Sequence, residues 1–173
     1  MSPERIPYEA ENWQTHVGHV KRYQWATKFI QPTDTVLDVA CGIGYASELL
    51  AVTGCNYIGI DRPGVPWPEF EREGVQFVEA DLDSWFPGFI PDVTLCFETL
   101  EHLEDPQRMA DILQGVTGRI ICVSVPIIET KDKNEFHKHD FTVESLRQMF
   151  DFWHVEEEWD QPSESAHVWA FRP

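Results

Sequence analysis

The chain has 173 residues, 42% of them hydrophobic and 13% aromatic, and its 30 acidic against 13 basic side chains leave a formal charge of −17. That apolar content excludes a disordered chain, and the length suits a single domain, 1–173, with its own core. The negative field argues against nucleic acid and anionic membrane as partners, and there is neither a run of eighteen apolar residues nor an N-terminal signal pattern. A soluble, cytoplasmic protein is expected. The four cysteines (Cys41, Cys55, Cys96 and Cys122) form no C-x-x-C pair. Three of them lie in or beside apolar runs that read as strands, which favours a reducing compartment without structural zinc.

In chain order, a helical cover is expected over 1–31, with a helix at 10–31. There Trp13, Val17, Val20, Tyr23 and Ile30 recur near helical spacing before Pro32. The apolar run "TVLDVA" (35–40) predicts a strand that breaks into the loop Ala40-Cys41-Gly42-Ile43-Gly44, with a helix following at 45–53. Strands are expected again at "NYIGID" (56–61), "VQFVEAD" (75–81), "PDVTLCF" (91–97) and "RIICVSVP" (119–126), and helices at 106–114 and 143–151. Asp105 before Pro106 reads as a cap with proline at the first helical position, and Thr142 caps the last helix with Glu144 in its first turn. After residue 151, "FWHVEEEW" and "AHVWAF" alternate around the turn "DQPSES", which predicts a terminal hairpin over 152–173. The rhythm is that of an α/β fold: a Rossmann-like, mostly parallel seven-stranded sheet with helices on both faces and a C-terminal antiparallel hairpin.

In such a sheet ligands bind beyond the carboxyl ends of the strands, and each run here ends in functional groups. These are Asp38 with its glycine loop, Asp61, Asp81, and the cluster Glu98, Glu101, His102. Glycine lets the backbone turn tightly and lets a ligand approach it. Asp61, closing the next strand, stands where an acid grips ribose hydroxyls, although a loop acid capping a helix would look the same. A dinucleotide would bring its pyrophosphate close to Asp38, which opposes it, and Ser47 stands where the third glycine of G-x-G-x-x-G belongs. S-adenosylmethionine carries an ammonium and a sulfonium, so the acid is welcome there. Asp38 is therefore expected to face the cationic end of the cofactor, directly or through water.

With "VLDVACGIGYAS", "YIGID", "FVEADLD", "PDVTLCFETLEHLEDP", "GRIICVSVP" and "HKHDFTVESL" in view, the chain resembles the class I S-adenosylmethionine-dependent methyltransferases over about 34–151. The resemblance implies that the loop from Asp38 through Ala40, Gly42 and Gly44 holds the methionine part, with Tyr45 beside it. It implies Asp61 with Arg62 at the ribose, Asp81 with Leu82 at the adenine, and the Phe97 backbone near the cofactor's amino group. Ala40 stands where the family usually has its first glycine, and Ile43 where a smaller or hydroxylated residue is common.

Methyl transfer from a sulfonium needs orientation above all, and a base only where the acceptor must lose a proton. His102 is the candidate base, against the plainer reading of an imidazole packed at a helix start. Glu98 and Glu101 either shape the acceptor site or merely charge a helix's first turn. The long loop "IIETKDKNEFHKHD" suggests a lid or acceptor wall carrying His137 and His139. Those two histidines could meet His102 in space around a metal, but H-x-H spacing is common by accident, so no metal is expected. Trp13, Tyr23 and Trp67 are read as core before lining. The expected function is methyl transfer to a small-molecule oxygen, nitrogen or carbon. The alternatives are an NAD-dependent oxidoreductase and a non-catalytic adenosyl-binding module; acceptor identity and oligomeric state stay open.

Overall fold

The computed structural model describes residues 17–67 and 73–173. Seven strands form one sheet in the order β3-β2-β1-β4-β5-β7-β6. They are β1 (Thr35–Val39), β2 (Asn56–Asp61), β3 (Val75–Glu79), β4 (Val93–Phe97), β5 (Ile120–Pro126), β6 (His154–Gln161) and β7 (Ala166–Arg172). The first five run parallel, and β7 pairs antiparallel with both β5 and β6. The expected strands and hairpin are all present, trimmed by one or two residues at some ends.

The helices are α1 (Val17–Ala26), α2 (Ala46–Leu50), α3 (Pro106–Val116) and α4 (Val143–Met149). Of the first expected helix, 10–16 and Trp13 lie outside the described residues; α1 continues as a tight turn over Thr27–Phe29. The α3 and α4 boundaries follow the predicted caps. Asp105 accepts from the Arg108 N–H at 2.9 Å with Pro106 next in line. Thr142 and Ser145 form a reciprocal capping box.

Alternation along the strands builds two cores. Val36, Tyr57 and Leu95 pack with Tyr23, Trp25, Ala46 and Leu50 of α1 and α2. Leu37, Val39, Ile121 and Trp169 pack with Met109, Leu113, Leu146 and Phe150 on the α3–α4 side. Covered on both faces, β4 and β5 are buried at every residue, as their unbroken apolar runs require. The edge strand β6 carries Glu156, Glu157, Glu158 and Asp160, charges that discourage pairing with another chain. From β1 the sheet grows to β2 on one side and β4 on the other. That makes the β1/β4 boundary its switch point, where a crevice opens.

A buried polar latch ties α1 to the hairpin. Arg22 Nε donates to Gln161 Oε1 at 2.8 Å, and Gln161 Nε2 donates to the Gly18 carbonyl at 3.0 Å. Both side chains are almost fully buried. Gln161→Ala leaves a guanidinium and a carbonyl without these partners, so urea unfolding should show a loss of about 2–3 kcal/mol. A change within about 0.5 kcal/mol would mean that water replaces the amide without penalty.

Candidate active site

The loop leaving β1 is held by backbone and carboxylate together. Cys41 N donates to the Ile60 carbonyl at 2.9 Å and Gly42 N to Asp61 Oδ2 at 2.8 Å. Asp61 Oδ1 accepts from Arg62 N at 2.8 Å, and the Trp67 indole donates to the Gly42 carbonyl at 2.9 Å. Ala40, Gly42 and Gly44 all have positive φ, at 59°, 57° and 81°. The two glycines do different work. A Cβ at Gly44 would lie 2.4 Å from the Phe77 ring, whereas one at Gly42 would meet nothing within 4 Å. Gly44 permits packing; Gly42 leaves space.

That space belongs to a cavity of about 530 Å³ at the switch point, within the range of small-ligand sites. Of the residues singled out from sequence, Ala40, Gly42, Tyr45, Asp61, Arg62, Asp81, Leu82, Phe97, Glu98, Glu101, His102 and His137 line it. Asp38, Gly44 and His139 do not.

Asp38 corrects the expectation that it faces the cavity. It is fully buried, with the Tyr57 hydroxyl donating to Oδ2 at 2.6 Å and the Tyr23 hydroxyl 3.2 Å from both oxygens. Tyr23 lines the cavity in its place. Burial pushes the Asp38 carboxyl up to about 7, and the bonds from Tyr57 and Tyr23 offset part of that rise. His139 spends its Nε2 on the Leu103 carbonyl at 3.0 Å and takes no part in the cavity lining.

Beyond β4, Glu98 sits at φ +49° and accepts from the Ser124 hydroxyl at 2.8 Å, with Arg22 Nη1 at 3.6 Å. A single turn, Leu100–His102, follows. The Glu101 carbonyl accepts from Lys138 N at 2.7 Å and His139 N at 3.3 Å, which pins the long loop after β5 across the cleft. His102 Nδ1 donates to the Phe136 carbonyl at 3.0 Å, and its ring meets His137 edge-on at 4.8 Å between centroids. One donor atom from each of Glu101, His102 and His137 lies within 4.8 Å of the others.

Sequence reasoning missed Tyr57, and it took Trp67 for core or lining without its bond to the Gly42 carbonyl. Gly59, opposite Asp38 in the β1–β2 register, marks the crowding there: a Cβ would lie 2.8 Å from Cys41 Sγ and 3.0 Å from the Phe77 and Tyr57 rings. Trp67, stacked on Phe77 at 5.3 Å, offered no local signal.

A family model described as a methyltransferase domain matches residues 17–158. A ubiquinone biosynthesis O-methyltransferase from Hahella chejuensis is 33% identical over 89 residues, 43% of this chain and 35% of that protein. One from Rickettsia felis is 22% identical over 141 residues, 78% of this chain and 52% of that protein. The chain thus spans between about a third and a half of the length of these curated relatives. Among solved structures, the N-methyltransferase NodS from Bradyrhizobium japonicum WM9, in complex with S-adenosyl-L-homocysteine, superposes with a TM-score of 0.71. That match is 15% identical and covers 96% of this chain and 91% of that one, a likeness of fold.

The buried acid has a measurable consequence. Unfolded, Asp38 titrates near 3.8; folded, near 7. Between those values only the folded chain binds the proton, so its contribution to stability falls as pH rises and levels off above 7. Asp38→Asn cannot titrate. From pH 5 to pH 8 the wild type should therefore lose about 2–3 kcal/mol relative to Asp38→Asn in chemical unfolding. Parallel curves for the two proteins would show that Asp38 is ionised in the folded chain throughout.

Proposed function

Because the chain belongs to the family of methyltransferase domains, we propose that it is an S-adenosylmethionine-dependent enzyme that methylates a small-molecule acceptor. The observation that carries this reading is the charge of the cleft. Among the described residues, Asp61, Asp81, Asp83, Glu98 and Glu101 line it against one guanidinium, Arg62. Such a wall repels a pyrophosphate and attracts a ligand bearing an ammonium and a sulfonium, which disfavours a dinucleotide.

When bound, S-adenosylmethionine supplies a methyl group on a sulfonium that departs as a neutral thioether. The protein's residues bind and orient. Asp61, tied to the loop through Gly42 N and Arg62 N, borders the cavity and serves the ribose hydroxyls. Asp81 serves the adenine amino group, and the space beside Gly42 admits the ligand to the backbone. On the far side of the cleft the acceptor meets His102. Its Nδ1–H is committed to a carbonyl, which leaves the Nε2 lone pair to take the acceptor's proton. Glu101, with Oε1 at 3.9 Å from that nitrogen, steadies the imidazolium that results. A cytoplasmic location fits the four cysteines, none of which is in a disulfide. No described helix is long and apolar enough to cross a membrane.

Thermal unfolding with S-adenosylmethionine, S-adenosylhomocysteine and NAD in parallel tests the reading. At a hundredfold excess over its dissociation constant a ligand adds about 2.7 kcal/mol, a rise of roughly 5–11 °C for this size. The two adenosyl compounds should give it and NAD should not; the reverse would sink the proposal in favour of an oxidoreductase. Gly42→Ala should fold and lose most of the shift. His102→Ala should keep the shift and lower turnover about 10²-fold or more with an acceptor that must lose a proton. Stabilisation by the adenosyl pair with no turnover across oxygen, nitrogen and carbon acceptors would instead mark a non-catalytic adenosyl-binding module.

A further inference from the structure

We propose that Trp67 is a positioning residue for the cofactor: its indole N–H, acting through the Gly42 main chain, sets the wall on which the amino-acid end of an adenosyl ligand rests. Placing a ligand on that wall rests on the methyl-transfer reading; the clamp on Gly42 does not.

Gly42 is gripped at both of its main-chain polar groups by the chain that leaves β2. Its N–H donates to Asp61 Oδ2 at 2.8 Å, and its carbonyl accepts from Trp67 Nε1 at 2.9 Å. The segment that carries both anchors is itself tied down. Gly64 N donates to Glu79 Oε1 at 3.1 Å at the end of β3, Val65 is buried, and Trp67 N donates to the Val65 carbonyl at 3.0 Å. The loop after β2 thus closes back on the loop after β1.

Glycine takes positive and negative φ about equally, so the φ of +57° at Gly42 has to be held by what surrounds it. Side-chain packing does not do so, since a Cβ there would meet nothing within 4 Å. A turn bond from Gly44 N to the Cys41 carbonyl at 3.1 Å spans the residue and touches neither of its groups. The Cys41 thiol lies 3.6 Å from the Gly42 carbonyl, but a thiol is a weak donor. Asp61 and Trp67 therefore fix the peptide planes on either side of Gly42.

The second plane is the one that matters to a ligand. No described peptide is cis, and a trans peptide points its N–H opposite to its carbonyl. Aiming the Gly42 carbonyl at the indole therefore aims the Ile43 N–H away from it. Gly42 and Ile43 both line the cavity, so this plane decides what the main chain offers the carboxylate of a ligand's amino-acid end. A loop ordered before binding loses less freedom on binding.

The same indole reaches the second glycine. It stacks on Phe77 with 5.3 Å between centroids and 15° between planes, and a Cβ at Gly44 would lie 2.4 Å from that Phe77 ring. One side chain holds Gly42 by a hydrogen bond and backs Gly44 by packing. A phenyl ring at position 67 keeps the stack and loses the donor, which separates the two contributions.

Calorimetric titration of the full chain with S-adenosylhomocysteine and with 5′-methylthioadenosine, which lacks the amino-acid end, tests the proposal. Trp67→Phe should weaken S-adenosylhomocysteine about 3–10-fold, the worth of one hydrogen bond, and leave 5′-methylthioadenosine within about twofold. In the ligand-free chain the Gly42 amide should exchange with deuterium faster in Trp67→Phe, by a larger factor than the amides of the buried strand β4. A general loosening of the fold would instead weaken both ligands alike. Should the phenyl ring disturb folding, the sulfur isostere of tryptophan, with both rings and no N–H, should give the same split. Equal loss for both ligands, loss for neither, or unchanged exchange at Gly42 would overturn the proposal. A wild type that binds neither compound rejects the methyl-transfer reading, and the role of Trp67 with it. A wild type that binds both, with no split in the variants, rejects the role of Trp67 alone.

Discussion

A carboxylate without access to water must be answered by donors, and Asp38 is answered by two phenols from different layers of the fold. Tyr57 reaches it from β2 and Tyr23 from α1, so one side chain couples the helical cover, the strand that bears the glycine loop and that strand's neighbour. Taking an ion out of water carries a penalty of several kcal/mol, and two neutral hydroxyls offset only part of it. That is why burial dominates the carboxyl's upward shift. The packing of α1 against the sheet is therefore tied to the protonation of a group beneath the cleft. Tyr23 carries the consequence upward through edge-on contacts with Tyr45 at 5.5 Å and Phe97 at 5.1 Å, both cavity-lining rings.

The same switch point concentrates backbone strain. Ala40 and Glu98, which follow the carboxyl ends of β1 and β4, are two of the three non-glycine residues with positive φ among the described residues. A left-handed conformation costs an L-residue about 1–2 kcal/mol. Surrounding bonds hold both in place. Cys41 N and Gly42 N anchor the first loop to β2, while Glu98 N donates to the Ser124 carbonyl at 3.0 Å and its carboxylate accepts from the Ser124 hydroxyl. Each turn thereby lifts the chain off the sheet and faces its next residues to the cavity. At Ala40 the strain stands where the resembling family usually has glycine, and the rest of the loop absorbs it.

How much of this was legible in the sequence depended on the range of the interaction. Strands, caps and the hairpin rest on alternation and on neighbours three or four residues apart, and they appear where the pattern puts them. Asp61 and the glycines were legible because a strand-to-helix turn is a local event. Asp38 was read correctly as an anomaly and wrongly as a cavity-facing group, since its partners lie 15 and 19 residues away. Only the bare Gly59 opposite it hinted that a ring needed room. His137 and His139 looked equivalent in sequence. Two bonds separate them: His139 Nε2 is spent on the Leu103 carbonyl, while Thr130 holds His137 Nδ1. No spacing rule encodes which ring a loop turns inward.

These constraints divide the crevice into halves of different character. On the β1–β2 side, the loop main chain at Gly42 and the Asp61 carboxylate already tied to it contribute to the wall beside Tyr45 and Arg62. On the β4–β5 side the wall is made of side chains, and its histidine-bearing loop is hung on the Glu101 carbonyl. A backbone-built half suits the constant adenosyl ligand, and a side-chain-built half suits whatever acceptor a given chain must recognise. Carboxylates stand in both halves: Asp61 and Asp81 in the first, Glu98 and Glu101 in the second. Under the proposed reading, substrate choice would be separable from cofactor binding, because different classes of chemical group would hold them.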